Sequence, residues 1–298
     1  MRRPPTLAAS VLDAIGNTPL VELSRWVRRR GLRGRVLAKL ESCNPGGSKK
    51  DRIALEIVRE ARASGALREG QTVVELTSGN TGTGLAIVCR ALGHPFVAVI
   101  SAGNSVERVL QMRALGAEVV VVDQPDGPDP GRVSGGDLEA VEAVARRIVT
   151  DRGAYRADQF ANPANVLAHE RHTGPEIWEQ SGESVDVFVD MPGTGGSFTG
   201  VTRALREFNP WLRSYVVEPA GAAVLAGRPV TDPRHAIQGA GYSRTGAAIP
   251  LFDPALASGY LGINDDEAFD SARAARGRGR NFRGRLRRAR TWRPSKSS

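Results

Sequence analysis

Two cysteines, Cys43 and Cys89, among 298 residues are too few for a disulfide framework, so both read as reduced thiols. Cys43 borders a lysine-bearing loop, where the expected state is a small packed thiol. No apolar run approaches the roughly 18 residues of a membrane span. The opening Met1-Arg2-Arg3-Pro4-Pro5 lacks the apolar stretch of a signal peptide, and a cytoplasmic protein is expected. Histidine is scarce: His94, His169, His172 and His235 show no ligand spacing with Cys or Glu, so no metal site is expected. His169 and His172 stand three apart and read as a polar surface pair. Internal repeats are absent. Acid is missing from residues 271–298, which hold ten arginines and one lysine. The overall charge of +9 therefore leaves residues 1–270 with 30 basic and 32 acidic side chains, a net of −2. The body has the charge of an ordinary globule, and only the tail carries the basic excess that would suggest nucleic acid.

The stretch Glu41–Leu55, ESCNPGGSKKDRIAL, is the most informative part of what is present. Asn44-Pro45-Gly46-Gly47 forms a turn, and Ile53, Ala54, Ile57, Val58 and Ala61 recur at helical spacing after it. Lys49 and Lys50 thus sit where a loop enters a helix. The helix dipole and a neighbouring cation both disfavour an ammonium there and favour a neutral, nucleophilic amine. An ordinary solvated lysine pair is the competing reading.

Two further turns follow short buried strands. Thr72–Leu76 leads into Thr77-Ser78-Gly79-Asn80-Thr81-Gly82 and then a helix, and the hydroxyls and helix-start amides of this turn can nest a carboxylate. By itself it could equally be a well-capped helix start. Val185–Val189 leads towards Gly193-Thr194-Gly195-Gly196-Ser197, a nearly side-chain-free turn of the kind that cradles phosphate. Strand and helix signals alternate: helix 51–64, strand 72–76, helix 82–92, strand 96–100, helix 106–115, strand 118–122. A Pro- and Gly-rich loop at 123–137 and a helix at 138–149 come next. After the Gln159–Asn165 turn come helix 170–180, strand 185–190, helix 197–207 and strand 214–217. Alternation of this kind predicts an α/β fold with mostly parallel strands and crossover helices.

Taken together with Ile15-Gly16-Asn17-Thr18-Pro19-Leu20, Gln159-Phe160, Asn162-Pro163-Ala164-Asn165, Val217-Glu218-Pro219 and Gln238-Gly239-Ala240-Gly241, these motifs resemble the cysteine synthase and cystathionine β-synthase branch of the fold type II pyridoxal-phosphate enzymes. The resemblance spans about residues 11–272. It implies a tryptophan synthase β-like fold of two three-layer αβα lobes. The larger comprises residues 1–50 plus 156–272 and the smaller, mobile one residues 51–155, with the cofactor between them. It also implies a homodimer.

The roles implied fall on matching positions. Lys50 takes the place of the Schiff-base lysine and catalytic proton shuttle, and Lys49 stands where the family is commonly apolar. Asn80 matches the hydrogen-bond partner of the cofactor's phenolic oxygen. Thr77, Ser78, Thr81 and Gln159 match the clasp for the substrate carboxylate. Gly193, Thr194, Gly195, Gly196 and Ser197 match the phosphate cradle, and Gly239 lies in the entrance loop. The chemistry implied is β-replacement on a β-substituted L-serine (O-acetylserine, O-phosphoserine or serine) with sulfide or another nucleophile. Open alternatives are a β-elimination enzyme, an impaired pseudoenzyme or scaffold, and a nucleic-acid binder working through its Arg-Gly tail.

From Arg273 the chain departs from the family, where a Gly-rich, serine-bearing turn would face the pyridine nitrogen. A disordered basic tail is expected over 273–298. A shift of reading frame near residues 273–280 and a natural basic tail both account for it.

Overall fold

The computed structural model describes residues 7–129, 133–232, 235–237, 239 and 249–275. A two-stranded antiparallel ribbon, β1 (Leu20–Glu22) and β2 (Leu37–Lys39), flanks helix α1 (Ser24–Arg29). From α2 (Lys50–Ala63) the chain alternates through β3 (Val73–Leu76), α3 (Asn80–Leu92), β4 (Phe96–Ser101), α4 (Val106–Ala114), β5 (Glu118–Val122), α5 (Gly135–Arg152) and β6 (Tyr155–Arg156). These strands form one wholly parallel sheet in the order β5-β4-β3-β6. Parallel order follows from the crossovers, since a helix returns the chain to the same end of the sheet before each new strand.

Both faces of this sheet are covered, and its strands are correspondingly continuous in apolar residues. Val73, Ala98 and Ile100 pack with Ile53, Ile57, Leu85, Val88 and Met112. Val74, Leu76, Val97 and Val99 turn the other way, towards Val141 and Ala145 of α5. Period-two alternation thus splits the apolar residues of each strand between two cores.

A second parallel sheet, β7 (Val187–Asp190), β8 (Arg213–Pro219) and β9 (Gly259–Ile263), follows α6 (Ala164–Ala168) and α7 (Gly174–Gln180). Helix α8 (Gly196–Phe208) crosses from β7 to β8, and α9 (Asp265–Ala275) ends the described chain. Ile177, Val201, Leu205 and Leu212 make the core on one face. Val187, Val189 and Leu261 are more than a third exposed.

Several boundaries differ from the sequence reading, for local reasons. Helix α5 begins at Gly135 rather than 138, because Ser134 accepts from the Asp137 amide while Asp137 Oδ2 accepts from the Ser134 amide in a complete capping box. The helix expected at 170–180 starts at Ala164 and reaches α7 through a π turn, His169–Thr173. His169 is accordingly buried, with Nδ1 3.0 Å from Thr173 Oγ1, and is no surface partner for the half-exposed His172. Burial, then the cations Lys49 and Arg52, hold the His169 imidazole well below its ordinary pKa. Cys43 is exposed, not packed, whereas Cys89 is buried and its thiol is pushed up to about 12 by that burial. Helix α9 runs to Ala275, so the first three residues assigned to the tail are helical. The rest of the tail lies outside the described residues, as do Gln238, Ala240 and Gly241. No described helix is long and apolar enough to cross a membrane.

Candidate active site at the starts of three helices

The lysine loop is folded onto the first turn of α2. The Gly46 amide donates to Asp51 Oδ2 at 2.5 Å, and a Cβ at Gly46 would lie 2.4 Å from Asp51 Oδ1, so the loop closes only over a glycine. Asn44 anchors the other side, accepting from the Gly16 amide at 2.8 Å. Helix α3 presses on the same turn at Gly84, where a Cβ would stand 3.1 Å from the Lys50 carbonyl oxygen. Lys50 is thereby fixed with its amine aimed at the turn after β7.

The Lys50 amine has one hydrogen-bond contact among the described residues, Thr194 Oγ1 at 3.5 Å. Burial first, and the adjacent Lys49 ammonium second, lower its pKa from 10.5 to about 7. The neighbouring amine differs: Lys49 Nζ donates to Asp190 Oδ1 at 2.9 Å and to Ser197 Oγ at 2.7 Å. Lys50 thus has a weakly engaged amine that is substantially neutral near neutrality, as a nucleophile requires, whereas the Lys49 amine is held by a carboxylate and a hydroxyl.

Three glycines shape the turn that receives it. Gly195 adopts φ +86°, and a Cβ there would meet the Phe252 backbone at 2.6 Å. A Cβ on Gly193 would stand 2.7 Å from the Gly239 carbonyl, so the Gly239 loop rests directly on the turn. At Gly196 a Cβ would fall 2.1 Å from Asn165 Oδ1. Gly196→Ala is therefore expected to lower thermal stability by about 1–3 kcal/mol and to weaken ligand binding at the turn. A melting temperature equal to wild type would refute this packing. The first helical amide with an intrahelical acceptor is that of Thr199, to the Gly195 carbonyl at 3.0 Å. The amides before it form the free first turn of α8, an anion-binding arrangement.

In the turn after β3, Thr77 Oγ1 accepts from the Gly79 amide at 3.0 Å and the Gly82 amide at 2.9 Å, bracing the loop from within. Thr81 donates to Gln159 Oε1 at 2.6 Å, and Gln159 Nε2 donates to the Leu76 carbonyl at 3.1 Å. Asn80, the first residue of α3, is exposed, and the Ser78 carbonyl accepts from Arg108 Nη1. Asn165 ties the pieces together, its Nδ2 donating to the Gln159 carbonyl at 2.7 Å and to Thr194 Oγ1 at 2.9 Å. A continuous polar chain thus runs Lys50, Thr194, Asn165, Gln159, Thr81. Thr81, Gln159 and Thr194 follow the carboxyl ends of the parallel strands β3, β6 and β7, where ligands bind in open α/β sheets.

Residues 11–282 match the sequence profile of a family described as "Pyridoxal-phosphate dependent enzyme". The chain belongs to this family. It is 42% identical over 262 residues to cysteine synthase 3 of Caenorhabditis elegans, covering 88% of this chain and 73% of that protein. It is 43% identical to O-ureido-L-serine synthase of Streptomyces lavendulae over 77% of this chain and 67% of the relative. Among solved structures, O-acetylserine sulfhydrylase isoform 3 of Entamoeba histolytica superposes with a TM-score of 0.81 at 33% identity, covering 92% of this chain and 78% of that one.

The residues present fit the family's cofactor. An aldehyde needs a neutral amine, which Lys50 supplies, and a phosphate needs amides and hydroxyls, which the Thr194–Ser197 helix start supplies. Five contributors carry no role in the sequence reading. Asn165 stands in a quoted motif but shows its function only through its partners. Lys49 and Asp190, 141 residues apart, form an ion pair. Arg108 reaches the Ser78 carbonyl. Glu75 is fully buried beneath Gln159, 3.4 Å from its Nε2, and burial raises its carboxyl to about 7 despite Arg156. The detectable signal for Asp190 and Glu75 is a lone acid in an otherwise apolar strand.

Proposed function

We propose that the protein catalyses a pyridoxal-phosphate-dependent β-replacement on a β-substituted L-serine, whether O-acetylserine, O-phosphoserine or serine, with sulfide or a related nucleophile, giving L-cysteine or an analogue. The observation that carries this reading is the Lys50 amine, its pKa lowered to about 7 and its one hydrogen bond among the described residues made to Thr194 of the glycine turn. The relatives named as cysteine synthase and O-ureido-L-serine synthase support the reaction class.

Bound at this site, pyridoxal phosphate supplies an electron sink for the charge that develops at the substrate Cα. The remaining work belongs to the chain. Lys50 Nζ would hold the cofactor aldehyde and, with substrate bound, would remove the Cα proton as general base. Gly193 to Ser197 would hold the phosphate, and Asn80 would hold the phenolic oxygen. Thr77, Ser78, Thr81 and Gln159 clasp the substrate carboxylate. Thr81 gives up its bond to Gln159 Oε1 to do so, which links substrate binding to the polar chain behind the site. Gly239 borders the entrance. The lobes of residues 51–155 and of 1–50 plus 156–272 close on the substrate and exclude water. We place the enzyme in the cytoplasm as a homodimer.

The test is to mix purified protein with O-acetylserine and sulfide and follow cysteine formation, with O-phosphoserine and serine as alternative donors. Cysteine from at least one donor is expected. Pyruvate in place of cysteine would mean elimination, and no product from any donor would end the reading. Because the attacking amine must be neutral, the rate at which cofactor-free protein takes up pyridoxal phosphate should rise with pH through about 7 and level off above it. A rise centred near 10 in stopped-flow absorbance would contradict the environment described for Lys50.

A further inference from the structure

Lys49 stands beside Lys50 at the start of α2, yet its amine reaches the opposite end of the glycine turn. There it donates to Ser197 Oγ at 2.7 Å and to Asp190 Oδ1 and Oδ2 at 2.9 and 3.2 Å, while Ser197 Oγ donates to Asp190 Oδ2 at 2.5 Å. Asp190 closes β7 and Ser197 lies in the first turn of α8. A carboxylate therefore takes the hydroxyl proton of a helix N-terminus and the charge of a lysine, the bonds that an incoming phosphate oxygen would take. Burial raises the Asp190 carboxyl, but Lys49 and Ser197 outweigh it and hold the group ionised. Asn165 Oδ1, buried with no hydrogen-bond partner among the described residues, faces Gly196 in the same turn.

We propose that Lys49 is a cationic arm of the phosphate cradle, and that Asp190 is its resident anion, exchanged for the phosphate group when the ligand binds. This rests on the reading of the turn as a phosphate site, and deepens it. A phosphate monoester carries about −1.5 to −2 charges near neutrality, whereas a helix N-terminus offers only about half a positive charge. Lys49 supplies the missing charge, and Asp190 keeps that charge neutralised beforehand, so the part-buried cradle holds no uncompensated cation.

The experiment compares uptake of pyridoxal phosphate with uptake of pyridoxal, which lacks the phosphate, by cofactor-stripped wild type, Lys49→Met and Asp190→Asn. Lys49→Met should lose about tenfold or more in affinity for the phosphorylated aldehyde with little change for pyridoxal. Asp190→Asn should shift the ratio the opposite way, because the competing anion is gone. Equal ratios in all three proteins would overturn the proposal and leave the pair a purely structural bridge between α2 and β7. If Lys49→Met does not fold, Asp190→Asn decides: a raised ratio supports the exchange, and an unchanged or lowered one overturns it. If wild type takes up neither aldehyde, the reading of Lys50 fails, and inorganic phosphate then reads the arm by itself. A rise in melting temperature with phosphate that is larger in Asp190→Asn and lost in Lys49→Met upholds the proposal, while equal rises overturn it.

Discussion

Lys50→Ala is expected to abolish covalent retention of pyridoxal phosphate and to reduce cysteine formation by about a thousandfold or more, because one side chain both holds the aldehyde and moves the Cα proton. The readout is mass spectrometry after borohydride reduction, paired with the turnover assay. Reduction of wild type should mark residue 50 and leave residue 49 unmarked. The difference between the two amines is environmental. Lys49 is paired with the Asp190 carboxylate, while the Lys50 amine meets a single hydroxyl oxygen at 3.5 Å. Label on residue 49, or full retention of the cofactor in Lys50→Ala, would overturn the assignment of roles.

The second large effect concerns the scaffold. Arg52, two residues after Lys50 in the first turn of α2 and 2% exposed at its side chain, donates to both oxygens of Glu41 at 2.7 and 2.9 Å and to both oxygens of Glu176 at 2.7 Å. Lys39 Nζ joins Glu176 Oε2 at 2.7 Å, so α2, α7 and the β2 strand meet in one ionic knot. Arg52→Met leaves two carboxylates without their main partner, a loss of roughly 3–5 kcal/mol for a buried pair broken from one side. A fall in melting temperature of order 10 °C is expected. Arg152→Met, which breaks the exposed pair with Glu118, should barely move it. Equal melting temperatures for the two variants would refute the importance of the knot.

The same knot makes stability depend on acid. Burial alone would raise the Glu176 carboxyl, but Arg52 outweighs it and brings it down from 4.5 to about 2. The folded state therefore binds this proton less readily than the unfolded chain. The stabilisation is complete above pH 4.5 and is lost as pH falls towards 2. It amounts to about 3 kcal/mol on this shift, and an acid-unfolding series should show that limb flattened in Glu176→Gln.

Much of this molecule can be read without coordinates because its signals are local. The turns at 44–47, 77–82 and 193–197 announce themselves through glycine and hydroxyl residues beside apolar strands, and strand-helix alternation fixes a parallel sheet. Helix starts were legible where the cap was simple and misplaced where a capping box or a π turn moved them, as at Ser134 and His169. Cys43 and His169 went the wrong way because burial is a property of packing, which one residue's identity does not set.

By itself the sequence determined that Lys50 enters a helix after a tight turn, that two more turns can accept anions, and that the core is α/β. Only the tertiary structure decided that Lys50 and Thr194 meet, that Asn165 joins two turns, and that Lys49 is held by Asp190 and Ser197. The reason is physical. Turn geometry depends on a few consecutive residues, whereas the partner of an amine can lie 141 positions away and reach hydrogen-bonding distance only through folding.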